Sequence, residues 1–212
     1  MNSDSSHRTK PAAERHALPA HQSRSRETRA RILEAAESEF AKKGYDGARL
    51  ADIAEEAGCS VGTVYFRFKD KSALFLAIAE SFAEDAREGL KNVLQVSGPP
   101  ETDDLIRQFV IGTARNFRRH KGLFRAIVER GLDHPQAMRT MFDLRDEFAT
   151  ALQRALKPSG TTGLRVRVMT QMVYGFLLTG VLNPNAPTDI ADARALRELA
   201  DACVAYISGG GS

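Results

Sequence analysis

The chain has 212 residues, 42% of them hydrophobic and 27% charged, which excludes a disordered polymer and a peptide that depends on disulfides. Its two cysteines, Cys59 and Cys203, stand far apart without a C-x-x-C pair, so a disulfide scaffold and a cysteine-built zinc site are excluded and a reducing compartment fits. The formal net charge of +3 is too small to argue a nucleic-acid partner unless it is concentrated; up to Arg31, seven basic side chains accompany three acidic ones.

Residues up to about Gln22 mix Ser, His, Pro, Ala and basic residues without apolar periodicity, and read as a mobile basic arm that cannot repay its ordering entropy. From there the pattern is helical, with apolar positions recurring at three and four, as in Ile32, Ala36, Phe40 and in Leu74, Ile78, Phe82. Breakers divide it into about nine helices and no sheet: Ser25 to Lys43, stopped by Gly44; Leu50 to Ala57; Val61 to Phe68; Asp70 to Gln95; Asp103 to Arg119; Leu123 to Leu132; Pro135 to Leu156; Leu164 to Leu182; and Asp189 to Ile207. The closing SGGGS reads as a flexible tail. No uninterrupted apolar run approaches the roughly 20 residues of a bilayer span, and the opening lacks the apolar core of a secretory signal. We therefore expect a cytoplasmic, all-α protein with no membrane partner.

The segment LADIAEEA-GCS-VGTVYFRF joins two short helices through a three-residue turn, the pattern of a helix-turn-helix. Ala54 is small where the helices must approach, Gly58 can take the positive φ of a sharp turn, and Ile53, Ala57 and Val64 can face one another. Ser60 is placed to cap the second helix, whose free amides attract a phosphate. That helix presents Gly62, Thr63, Tyr65, Phe66 and Arg67 outward or along its flank. On these residues alone, an αα-corner in an ordinary bundle is the other reading.

The stretch from Arg29 to Phe82 resembles the N-terminal DNA-binding domain of the TetR family of transcriptional regulators. The marks are A-x-x-x-F-x-x-x-G-Y at the end of the first helix, D-I-A-E-x-A-G-x-S, G-T-V-Y, and F-K-D-K-S-A-L-F at the start of the fourth. Between the arm, taken as 1–23, and the tail, 208–212, the resemblance implies a three-helix DNA-binding domain over 24–70 and a helical ligand-binding and dimerisation domain over 71–207. It places Ser60, Tyr65 and Lys71 where the family meets phosphates, and Val61, Gly62 and Thr63 where it approaches base edges, with Phe66 beside them. Two positions depart from the pattern. Ala48 replaces the usual hydroxyl residue, so the neighbouring Arg49 can supply a charged phosphate contact, and Arg67 replaces a histidine or tyrosine, adding a possible phosphate or guanine contact. Asp52, Glu55 and Glu56 would be repelled by DNA and are expected on the solvent side.

The helix from Leu164 to Leu182 is apolar around most of its circumference and is expected to pack on two sides. The resemblance implies that the last two helices pair with those of a second copy, through Met172, Phe176, Gly180, Leu196, Leu199 and Cys203; burial within one chain is the alternative. In the seventh helix an apolar stripe carries Arg145 in its middle. Either it pairs with a carboxylate such as Glu129 or Asp146, or it meets an anionic or aromatic effector in a pocket lined by Phe82, Phe109, Phe117 and Met141. His120 and His134, lacking ligand-spaced partners, read as surface or capping residues rather than metal ligands, and Cys59 as a packing residue. No metal or cofactor is expected.

These readings lead to a homodimeric regulator, a repressor that binds palindromic double-stranded DNA and is released by a small-molecule effector. No nucleophile elbow, phosphate loop or paired catalytic carboxylates point to an enzyme. The alternatives are a helical enzyme, which turnover of a bound molecule would reveal, and a non-specific DNA-binding or adaptor protein, which would not prefer a palindrome.

Overall fold

The computed structural model describes residues 13–94, 101–183, 185 and 187–209, apart from the side chains of residues 13–22 and 158. Nine α-helices and no strand occur among them: α1 (Ala13–Gly47), α2 (Leu50–Glu56), α3 (Val61–Arg67), α4 (Lys71–Leu94), α5 (Thr102–Arg119), α6 (Lys121–Arg130), α7 (Pro135–Leu156), α8 (Gly163–Leu182) and α9 (Ala193–Ser208). Helix α1 begins at Ala13, so the backbone is already helical over 13–22, where an irregular arm was expected; Ala and Glu at the start of this stretch are good helix formers. Residues 1–12 of the expected arm lie outside the described residues, as do the last residues of the expected tail.

Local chemistry accounts for several of the ends. At Gly44 the backbone turns left-handed (φ 74°), which bends α1 there. A Cβ at that position would also collide with the Glu129 carboxylate from α6. Asp70 Oδ1 accepts the Ala73 amide at 2.8 Å and starts α4. Helix α9 starts at Ala193, later than the Asp189 expected, because Asp192 Oδ1 accepts the Arg194 amide at 2.7 Å. Among the described residues no helix is long and apolar enough to cross a membrane.

Helices α1 to α3 close around Ile32, Phe40, Ile53 and Val64, which have no exposed surface, and the first turns of α4 add Leu74 and Phe75. Burying each of these side chains stabilises the unit by about 1.5–3 kcal/mol. Asp52 and Glu56 are solvent-accessible, as expected, and each also pairs with a lysine of α1: Lys43 Nζ lies 2.8 Å from Asp52 and Lys42 Nζ 3.1 Å from Glu56. These exposed pairs contribute little stability, but they remove two acidic charges from the helix-turn-helix field.

The remaining helices continue the same core. Helix α4 packs on α5 and α7, α5 on α9, and α8 on α5, α6, α7 and α9. Helix α6 runs beside the end of α1 in the same direction. Gly122 at its start lies against the Glu37 carbonyl, where any Cβ would clash, and Arg125 Nη1 donates to the Ala41 carbonyl at 2.7 Å. Helix α1, against which α2 packs, is thus seated on α6 as well as on α4.

Candidate nucleic-acid interface and ligand cavity

Helix α3 is short and depends on its neighbours for order. Ser60 Oγ accepts the Thr63 amide at 3.1 Å and lies 2.9 Å from Thr63 Oγ1, satisfying groups that the first turn leaves unpaired. Gly58 adopts φ 63° in the turn before it, where an L side chain would be strained. Val64 is fully buried and pins the inner face. The outer face then carries exposed Val61, Gly62, Tyr65 and Phe66, with Thr63 half-buried. Phe66 is 90% exposed and Tyr65 55%, an arrangement water disfavours unless another surface covers it. Exposed Arg49 stands at the start of α2, Lys69 follows α3, and Arg24, Arg26, Arg29 and Arg31 are exposed along α1.

Two of the expected contacts are turned elsewhere. Lys71 Nζ donates to the carbonyls of Tyr45, Asp46 and Ala48 at 2.7, 3.3 and 3.1 Å and sits 4.7 Å from the Tyr45 ring centroid. Its three protons hold the end of α1 together in the manner of a C-terminal cap. Arg67 Nη1 donates to Ser25 Oγ at 3.1 Å, and its Nε is buried without a protein partner. That side chain ties α3 to α1 rather than projecting from it.

A cavity of about 480 Å³ opens between α4 and α5, with Phe148 of α7 and Tyr174 of α8 among its walls. Phe82, Leu90 and Phe109 supply apolar surface, while Asp85, Arg115, Asn116 and Arg119 supply polar groups. Its size suits a small organic molecule. Burial raises the Tyr174 phenol well above its ordinary range, with Arg145 pulling weakly the other way, so this wall is a neutral hydroxyl.

Three of the five expected pocket residues do not line the cavity. Phe117 stacks on Phe124 at 4.1 Å and meets Phe82 edge-on, as part of the core. Met141 is buried away from it. Arg145 donates to Asp146 Oδ1 at 2.9 Å and to Gln171 Oε1 at 3.4 Å and packs over the Phe142 ring, which is the ion-pair alternative. Phe82 and Phe109 remain. Sequence reasoning missed Arg115, Asn116 and Arg119, although polar residues recurring with Gln108 along one flank of the α5 apolar stripe were the available signal.

His120, expected on the surface or in a cap, holds the cap position between α5 and α6 but is not on the surface, being 4% exposed. Its Nδ1 lies 3.0 Å from Glu37 Oε2 and its Nε2 3.3 Å from Asp85 Oδ2. The two carboxylates flank opposite ring nitrogens and so do not converge on one point, as a metal would require. His134 sits at the start of α7, where Nδ1 lies 3.0 Å from Ser72 Oγ.

The expected pairing residues separate into two groups. Leu196 and Cys203 are buried within the chain, in a helix packed on α5, and burial pushes the Cys203 thiol up to about 11; these two are corrected from interface to core. Gly180 lies so close to Ile190 that no Cβ fits. Met172 is 41% exposed and is joined on the same face of α8 by Leu164 and Val168, which the sequence reading did not single out. Phe176 and Leu199 are half-buried.

Residues 32–78 match the family described as bacterial regulatory proteins, tetR family. The chain is similar to the HTH-type transcriptional regulator TtgR of Pseudomonas putida, 48% identical over 58 residues that make up 27% of this chain and 28% of that protein. It is also similar to the HTH-type transcriptional repressor Rv1474c of Mycobacterium tuberculosis, 33% identical over 112 residues, 50% of this chain and 59% of the other. The match therefore spans less than two thirds of either relative. The fold is that of the TetR-family regulator PfmR from Thermus thermophilus, with a TM-score of 0.63 at 20% identity over 85% of this chain and 99% of that one. Residues 32–78 thus carry the amino-terminal domain of the tetR family of bacterial regulatory proteins, within an all-helical fold similar to that of solved TetR-family regulators.

Proposed function

We propose that the protein is a ligand-responsive transcriptional regulator of the cytoplasm, a repressor that grips a palindromic operator as a homodimer and lets go when a small molecule enters the cavity. The observation that carries this reading is the outer face of α3, where Val61, Tyr65 and Phe66 stand exposed on a helix fastened by Ser60 and Val64. Such a helix fits a major groove: Gly62 lets the backbone come close, Thr63 and Tyr65 offer hydroxyls, and Phe66 offers apolar contact to a thymine methyl. Arg49, Lys69 and the α1 arginines supply the phosphate-facing charge.

Two copies are needed to read a palindrome. The Leu164, Val168 and Met172 stripe on α8 is the surface assigned to a second copy, because a monomer would leave these three apolar side chains wet. For the effector, apolar walls beside Arg115 and Arg119 favour an amphiphilic anion with an acyl or aromatic body. Selection of bound fragments from random double-stranded DNA tests the reading. Enrichment of one palindrome is expected, with log affinity falling by about 0.9 per unit of log salt for each phosphate neutralised. Equal affinity for random and selected DNA would overturn it.

A further inference from the structure

The cavity and the DNA-binding unit are joined by a continuous line of polar side chains. Asp85 on α4 lines the cavity together with Arg119, whose Nη1 lies 3.2 Å from Asp85 Oδ2. The same Asp85 oxygen is 3.3 Å from His120 Nε2, and the other ring nitrogen is 3.0 Å from Glu37 on α1. The second Glu37 oxygen faces the Leu123 amide at 3.5 Å, in the first turn of α6. Beyond that point α6 holds α1 at several places: Arg125 on the Ala41 carbonyl, Glu129 on the Tyr45 amide at 2.6 Å, and Arg130 on Asp46 at 2.7 Å. The two opposite nitrogens of the imidazole each lie against one carboxylate; a neutral ring donates to one of them and an imidazolium to both.

We propose that Asp85 and His120 transmit occupancy of the cavity to α1, and that an amphiphilic carboxylate operates them by drawing Arg119 away from Asp85. The second part rests on the cavity being the effector site. Arg119 is long and its side chain is 67% exposed, so it can swing to a ligand carboxylate at little cost, whereas His120 is walled in against the Phe82 ring at 5.3 Å. Once Arg119 leaves, the ligand's negative charge faces Asp85 without a cation between them. Asp85 turns from it, His120 loses one of its two partners, and the seat of Glu37 on α1 slackens. This assigns the signal to the α1–α6 seam, not to a movement of α4 alone.

Two measurements decide it. The first needs no ligand: amide exchange of residues 33–43 in the full-length protein is compared for wild type, Asp85→Ala, Glu37→Gln and the double variant. Asp85 has no bond to α1, yet Asp85→Ala is expected to speed exchange there several-fold, and the double variant to go no faster than the faster single one. No effect of Asp85→Ala on α1, or rates in the double variant equal to the product of the two single factors, overturns the relay. Asp85→Asn, which keeps an acceptor for His120, should restore protection and so separates the relay from a general loss of stability. The second measurement uses decanoate as the probe and the selected operator. Saturating decanoate is expected to weaken wild-type binding about tenfold, and to weaken His120→Gln binding by less than twofold although the variant still binds decanoate by calorimetry. Full release of His120→Gln overturns the relay. Failure of decanoate to bind the wild type removes this effector class and leaves the exchange experiment to judge the relay on its own.

Discussion

Helices α3 and α8 both leave large apolar side chains in water, but they do so differently. On α3, Tyr65 and Phe66 stand on a seven-residue helix bordered by Arg49 and Lys69 and held by one cap and one buried valine. On α8, Leu164, Val168 and Met172 form one stripe of a 20-residue helix whose other faces are covered by α5, α6, α7 and α9. An apolar pair on a short helix among cations suits a polyanion with base edges inside its groove; an apolar row running two turns along a long helix, with exposed Arg167 and Gln171 beside it, suits the matching row of a second copy. Exposure alone does not separate the two uses; the length of the row and the helix that carries it do.

The largest expected effect comes from breaking the α8 side of this contrast. Met172→Glu with Val168→Glu should turn a dimer into a monomer in sedimentation and weaken operator binding by about 10²- to 10⁴-fold, because the second half-site then binds as an independent event. Unchanged mass would remove α8 from the interface. On α3, Phe66→Ala should weaken the selected operator by about 10- to 100-fold while leaving thermal stability within about 0.5 kcal/mol, since the ring is 90% exposed. A matching fall in stability would mean that the ring packs inside the chain.

Smaller effects test how α3 is held. Ser60→Ala should cost about 1 kcal/mol in urea unfolding by leaving the Thr63 amide without its acceptor. The smallest concerns Asp52, whose carboxyl is held below the ordinary range chiefly by its hydrogen bond to Lys43. A carboxyl lowered on folding adds stability above its ordinary pKa and loses it as the pH falls through the lowered value, so that part of the acid limb should flatten in Asp52→Asn. An unchanged acid limb would show that the pair is spent on placing charge rather than on folding.

The parts of the molecule that were legible in advance are those governed by neighbours in the chain. Gly58, Ser60 and Val64 announce the turn, the cap and the inner face within seven residues, and Pro135 to Leu156 is helical over the span its periodicity marks. The parts that were not legible depend on what arrives from elsewhere. Lys71 was free to meet a phosphate until the carbonyls of Tyr45, Asp46 and Ala48 were folded against it. Arg145 had several candidate partners, and Asp146 together with Gln171 engages it.

Spacing along the chain by itself determined that this protein is helical, that it carries a helix-turn-helix near its amino terminus, and which residues stand on the outer face of α3. Those features follow from periods of three and four and from glycine and serine chemistry, which act over a few bonds. The tertiary structure alone decided that Leu196 and Cys203 are core, that the cavity is walled by Arg115 and Arg119, and that His120 lies between Glu37 and Asp85. The physical reason is distance along the chain: Glu37 and Asp85 come from helices that meet His120 only after folding, and no local pattern records which side chains will share a buried space.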